Sequence, residues 1–167
     1  MSTPNRLVVV GASLAANRLL RTLRRKGFDG AVTLVGAEPH LPYDRPPLSK
    51  QYLAGTTDRD GIDLGPGDLY DDVELRLGVA ASRLLPGEGR VELADGTTVA
   101  ADDVVVATGA APRRLPGQPD LDGLVVLRTV DDATRLRDAL EDADRLVVVG
   151  AGFIGSEVAS TDRGRVT

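Results

Sequence analysis

Short apolar runs alternate with amphipathic stretches from the start of the chain. Leu7–Val10 is continuously apolar, the pattern of a strand buried on both faces, and it leads straight into Gly11. From Ser13 to Lys26 the apolar residues Leu14, Ala15, Leu19, Leu20 and Leu23 recur at helical spacing. Arg and Lys gather toward the end of that stretch, where the helix dipole favours cations, and Gly27 closes it. Ala31–Val35 reads as a second strand, so residues 6–35 make one strand–helix–strand unit.

The middle of the chain is less regular. Pro39–Pro47 is a proline-rich loop, and Pro46 or Pro47 is suited to start a short helix through Leu48, Ser49 and Lys50 to Gly55. Residues 56–72 are polar and rich in Gly and Asp, which predicts a mobile segment. Val73–Leu77 alternates as a strand, and Arg90–Ala94 and Thr97–Ala100 flank Asp95-Gly96, a strong hairpin signal. Val104–Ala107 is a further buried strand that runs into Thr108-Gly109. After a proline-bearing linker, Val125–Leu127 is strand-like, and Val130, Ala133, Leu136 and Leu140 predict a helix over 131–142 with Asp131 and Asp132 in its first turn. Leu146–Val149 then delivers the chain into a second glycine turn.

The two glycine turns carry the chemistry. A glycine turn between strand and helix lets the backbone approach a pyrophosphate, whose charge the helix N-terminus holds. The first copy, at Gly11, Ser13, Leu14, Ala15 and Ala16, has small residues in place of the second and third Gly. It has a strand before it, a helix and strand after it, and an acid, Glu38, at about the ribose-binding distance. The bland alternative is a tight turn that holds no ligand. The second copy, Gly150, Gly152 and Gly155, is a full G-x-G-x-x-G. Its crossover is short, however: 11 residues separate Gly155 from Val166, the one candidate for the next strand, against 16 between Ala16 and Val32. This second unit is therefore expected to be incomplete as a nicotinamide-dinucleotide site. The fold class expected is α/β, a Rossmann-like sandwich with a parallel sheet and an added β-hairpin region. Residues 1–111 form its first domain, 112–144 a linker strand and helix, and 145–167 the start of the second nucleotide-binding unit.

Composition removes several alternatives. A net charge of −5 argues against nucleic acid as partner. No apolar run approaches the roughly 18 residues of a membrane span, and Leu7–Val10 is too short for a signal peptide, so the expected location is the cytoplasm. With no Cys, disulfide and dithiol-relay chemistry is closed, and a lone His40 argues against a His-based metal site.

Gly11–Ala16, the run from Glu38 to Lys50 containing Tyr43-Asp44-Arg45-Pro46-Pro47-Leu48-Ser49-Lys50, Ala107-Thr108-Gly109, Leu127-Arg128-Thr129 and Gly150–Glu157 together resemble the FAD-dependent NADH–ferredoxin reductases that serve oxygenases. The resemblance implies FAD at the first turn, NADH at the second, and a small ferredoxin-type iron–sulfur protein as electron acceptor. It also implies that Ala15 lies at the pyrophosphate and that Arg45 and Lys50 reach toward the flavin. Ala81 would meet the adenine through its backbone, and Arg128 would bind FAD. Glu157 would stand as a carboxylate paired with Lys50, the two being the catalytic candidates, while Ala107, Thr108 and Gly109 line the cofactor.

The blander readings are that Arg45 and Lys50 are solvated loop charges, that Arg128 pairs with Asp131 or Asp132, and that Glu157 compensates the helix dipole. Two departures stand out: Ala37 where the family commonly has an acid, and Ser13 in place of Gly. Family members are also much longer, which leads to the expectation of a truncated form. Three functions are thereby expected to compete. One is a reductase. Another is a truncated flavin- or nucleotide-binding module without NADH-dependent activity, suggested by the unusual run Ala159–Gly164. The third is an assembly partner that forms a homodimer through an exposed sheet edge.

Overall fold

The structure, a computed structural model, describes residues 5–65, 67–119 and 121–161. Val166, the candidate strand of the second unit, and the end of the Ala159–Gly164 run lie outside the described residues. Two compact units form. The first comprises Met1–Asp44 and Asp63–Gly109, the second Arg45–Ile62 and Ala110–Thr167. The segment 45–62 is thus grouped with the C-terminal part of the chain, a pairing that a division at residue 111 does not anticipate.

In the first unit, β1 (Arg6–Val10), α1 (Leu14–Arg25) and β2 (Ala31–Gly36) make the expected crossover. β3 (Val73–Leu77) and β7 (Asp103–Val106) join them in a four-stranded, wholly parallel sheet of order β3-β2-β1-β7. Strand β1 is central, with Val8 opposite Thr33 on one side and Val104 on the other. Its alternating side chains serve two cores. Leu7 and Val9 pack with Leu34, Ala16 and Leu20 beneath α1, while Val8 packs with Val35, Val91 and Leu93. That second core lies under an antiparallel sheet of β4 (Ala81–Leu85), β5 (Arg90–Leu93) and β6 (Thr98–Ala100). Burial on both faces explains why β1 is apolar from Leu7 to Val10 and why β2 is apolar apart from Thr33, whose hydroxyl donates to Glu74 at 3.0 Å. This is the α/β sandwich that the alternation of elements predicts.

β4 was not evident in the sequence. Its residues 82–84 are exposed, and its pairing with β5 is irregular between Ala81 and Arg83, so no alternation marks it. The polar stretch 56–72 also differs from expectation. It contains two 3-10 turns, Asp60–Ile62 and Gly67–Tyr70, whose last residues Ile62 and Tyr70 are buried. Within the first unit the buried Asn17 amide donates to the Leu64 carbonyl at 2.5 Å and to the Tyr70 hydroxyl at 2.7 Å. Arg21 donates to the same carbonyl at 3.1 Å. A polar sequence is tied down here by side chains of α1, which no local pattern reveals.

The second unit is helical. The helix predicted from Pro46 stays a single 3-10 turn, Pro46–Ser49, followed by further turns. α2 (Val130–Glu141) and α3 (Phe153–Thr161) pack around Leu53, Leu136 and Val158. Val125 and Leu127 contribute to this core without forming a strand. The strand expected at Leu146–Val149 is likewise absent from the described residues: Leu146 makes one isolated bridge, and Val147 and Val149 are 67% and 73% exposed. A strand is stabilised by its ladder, and the described residues of this unit offer no strand to pair with.

α2 starts with a reciprocal cap. The Thr129 hydroxyl accepts from the Asp132 N–H at 3.1 Å, and the Asp132 carboxylate accepts from the Thr129 N–H at 2.8 Å. Thr129→Ala is expected to lower the unfolding free energy by about 1 kcal/mol, read as a lower urea midpoint at unchanged slope.

Candidate functional site

In the first unit, the end of β1 is held between its neighbours. The Gly11 N–H donates to the Val35 carbonyl at 2.8 Å, and the Ala107 N–H donates to the Val10 carbonyl at 2.7 Å. Gly11 has φ of +115°, and a Cβ there would overlap the Ala107 carbonyl oxygen and press on the Thr108 nitrogen. The structure therefore brings Ala107 and Thr108 against the first glycine turn, with exposed Gly109 following at a φ of +71°. Ser13 occupies the N-cap of α1 but makes no side-chain cap bond, and the first turn of α1 contains no acid. Leu14 and Ala15 are exposed beside it. The backbone N–H groups that open α1 thus meet neither cap nor carboxylate of the protein, which suits an anion of the pyrophosphate kind.

Glu38 follows β2 and accepts a hydrogen bond from the buried Tyr43 hydroxyl. Ala81 opens β4 and, with Val10, Ser82, Val91 and Val104, lines a cleft of about 150 Å³.

The second unit gathers the remaining predicted residues around a cleft of about 400 Å³ lined by Arg45, Lys50, Arg128, Phe153, Ile154 and Glu157, among others. Lys50 Nζ lies 2.8 Å from Glu157 Oε2. The Ser49 hydroxyl donates to that same oxygen at 2.5 Å. Glu157 is beyond the first turn of α3, so its role is the contact with Lys50 and Ser49 rather than compensation of the helix dipole. The Lys50 hydrogen bond and that of Ser49 hold the Glu157 carboxyl below the ordinary glutamate range, against a smaller opposing effect of burial. Arg45 donates to the Arg128 carbonyl at 2.6 Å, which ties two cleft residues together. Arg128 meets Asp132 through its backbone N–H at 3.1 Å, while the ion pair of Asp132 is with Arg135 at 2.5 Å.

The second glycine turn repeats the first in one coordinate and departs in its surroundings. Gly150 has the same φ of +115°. A Cβ on Gly150 or Gly152 would meet nothing within 4 Å, whereas one on Gly155 would overlap the Gly150 carbonyl. Of the three glycines of this turn, Gly155 is the one whose position in α3 lies close against the turn itself. Tyr43, Ser49, Thr161 and Phe153, which is 91% exposed, were not singled out from the sequence. Their place within or beside the motif runs was the one available signal. No group of three or more His, Cys, Asp or Glu among the described residues could hold a metal ion, and no helix among them is long and apolar enough to cross a membrane.

The first unit is a Rossmann-like α/β sandwich, and a glycine turn lies in each unit. Residues 5–165 match the family model described as pyridine nucleotide-disulphide oxidoreductase, and the chain belongs to that family. Rhodocoxin reductase of Rhodococcus erythropolis is 42% identical over 160 residues, covering 94% of this chain and 38% of the relative. The ferredoxin–NAD(+) reductase subunit of the benzene 1,2-dioxygenase system of Pseudomonas putida is 39% identical over 95% of this chain and 39% of its own. Among solved structures, the covalent putidaredoxin reductase–putidaredoxin complex superposes with a TM-score of 0.90 at 35% identity, covering 97% of this chain and 40% of that one. The chain spans about 40% of the length of the relatives it matches.

Because the folded-state pKa of Glu157 is depressed, the pair with Lys50 contributes stability above the ordinary carboxyl value of 4.5 and loses it as pH falls through the lower folded value. Glu157→Gln is expected to destabilise the protein at neutral pH, with the gap to the unsubstituted chain closing progressively on acidification below about pH 4.5. Urea unfolding across that range measures it.

Proposed function

We propose that this chain carries the FAD-binding part of an NADH-dependent reductase that delivers electrons to a small ferredoxin-type iron–sulfur protein. The pairing of Lys50 with Glu157 in a cleft that also holds Arg45 and Arg128 carries this reading. The names of the relatives, all reductases of ferredoxin-coupled or rhodocoxin type, support it.

The first unit fits the dinucleotide end of FAD. The Gly11 turn has a cradle that a Cβ would fill, and α1, with Ser13 at its N-cap, presents uncapped first-turn N–H groups at Leu14 and Ala15 for a pyrophosphate. Glu38 is the acceptor for ribose hydroxyls, and the backbone at Ala81 and at Ala107–Gly109 frames the adenosine end. FAD, when bound, supplies the conversion of a two-electron hydride donor into single-electron transfers. In the second unit Lys50 supplies a cation that stabilises negative charge on a reduced ring system, and Glu157 keeps that ammonium paired and oriented. Arg45 and Arg128 provide further positive charge for the cofactor. Gly150, Gly152 and Gly155 form the backbone turn to which NADH would bring its pyrophosphate.

One observation favours a second reading. Val147 and Val149, which lead into that second turn, are exposed and unpaired in any ladder among the described residues. A module that binds FAD without NADH turnover has this character. Self-association through the edge strand β7, whose Val106 is 68% exposed, is a further property of such a module, and light scattering measures it.

Adding FAD to the purified chain and removing the excess decides the first point: retained yellow absorbance is expected, and its loss overturns both readings. With flavin bound, NADH-dependent reduction of a ferredoxin is expected for the reductase. Lys50→Met should slow that reduction on the order of 100-fold. Flavin binding without NADH oxidation supports the second reading instead.

A further inference from the structure

Two donors converge on one oxygen of Glu157. Lys50 Nζ stands 2.8 Å from Oε2, and the Ser49 hydroxyl donates to Oε2 at 2.5 Å. Oε1 has no hydrogen-bond partner among the described residues. The two donors differ in kind. Lys50 and Glu157 have side chains 42% and 29% exposed, and an exposed ammonium–carboxylate pair on long side chains has little energy with which to hold one geometry. Ser49 is 5% exposed, has a short side chain, and sits at the end of the 3-10 turn. Its own carbonyl accepts from the Thr161 hydroxyl at 3.3 Å, and Thr161 also donates to the Glu157 carbonyl at 3.0 Å. The hydroxyl is therefore fixed by burial and by α3, and it is the rigid member of the cluster.

We propose that Ser49 is a positioning residue: its hydroxyl pins Oε2 of Glu157, which holds the Lys50 ammonium in one place and leaves Oε1 open to the cleft as an acceptor. A lysine on a flexible stem can slide between the two carboxylate oxygens. With Oε2 already engaged by a buried hydroxyl, the carboxylate plane is set before the ammonium arrives. Lys50 is restrained from the other side by the Pro46 carbonyl, which its Nζ meets at 3.2 Å. The consequence for redox chemistry rests on the FAD-reductase reading, but the geometry does not.

The full chain with Ser49→Ala, Ser49→Thr and Lys50→Met tests this. The Glu157 side-chain carboxyl, followed by carbon NMR in glutamate-labelled protein without flavin, is expected to titrate at higher pH in Ser49→Ala, with most of the shift reversed in Ser49→Thr. Lys50→Met should also raise it. If Glu157 titrates identically in Ser49→Ala and the unsubstituted chain, or if threonine restores nothing, the proposal falls. Should the alanine variant not fold, Ser49→Cys, a weaker donor of similar size, carries the same comparison.

A second readout uses flavin-loaded protein. The flavin midpoint potential should shift downward in Ser49→Ala and return in Ser49→Thr, and an unmoved potential would overturn the positioning role. Failure of the chain to retain FAD at all would end the functional reading while the carboxyl titration still decided the role of Ser49.

Discussion

The first unit depends on one crowded point, where β1 stops. That strand is hydrogen-bonded on both sides, to β2 and β7, up to its last residue, so the chain must leave the sheet in the space beside the Ala107 carbonyl. No Cβ fits there, and the φ of +115° is one that L side chains rarely adopt. Gly11 satisfies both demands at once. Its bond to the Val35 carbonyl locks the turn, and α1 then starts with uncapped N–H groups facing outward. The uncapped start of α1 follows from how the sheet is closed, and the two cores above and below β1 hold the sheet in place.

The second glycine turn shows what happens when the same local sequence lacks the same surroundings. Gly150 shares the φ of Gly11, but a Cβ there would meet no described residue within 4 Å. Local backbone preference is enough to shape the turn, while the crowding that rigidifies a binding site comes from neighbouring strands. Of the three glycines of this turn, Gly155 is the one a Cβ would not fit, by the approach of α3 to the Gly150 carbonyl. The turn has the form of a phosphate-binding loop with a less constrained setting than the first.

In the second unit, charge rather than packing organises the cleft. Lys50, Ser49 and Glu157 come from segments more than a hundred residues apart in sequence, and they meet at a single carboxylate oxygen. An isolated pair of this exposure would contribute little to stability. The buried hydroxyl fixes this pair in one geometry. Arg45, anchored on the Arg128 carbonyl, adds positive charge from the same short motif that supplies Lys50.

The parallel strands β1 and β2 were legible because residues buried on both faces are mostly apolar, β3 because it alternates, and α1 because a helix buried on one face repeats its leucines at helical spacing; β7 was legible as an apolar run, although its residues are half-buried or exposed rather than buried. The glycine turns were legible because few residues can take their conformation. Other features were not. β4 carries exposed residues and a register irregularity, so its pairing with β5 is a tertiary fact. The polar run around Leu64 is ordered by Asn17 and Arg21, residues whose partners lie over forty positions away. Val125–Leu127 and Leu146–Val149 look like strands, yet among the described residues apolar character there yields no ladder beyond one bridge at Leu146. Lys50 and Glu157 could be named from their motifs, but Ser49 could not be told from any buried serine until α3 was seen to lie against it. The sequence alone determined which segments must be buried and where the backbone must turn, because burial and φ are local demands on residue type. Only the tertiary structure decided which side chains converge on one oxygen, because that depends on distances between segments that no local pattern encodes.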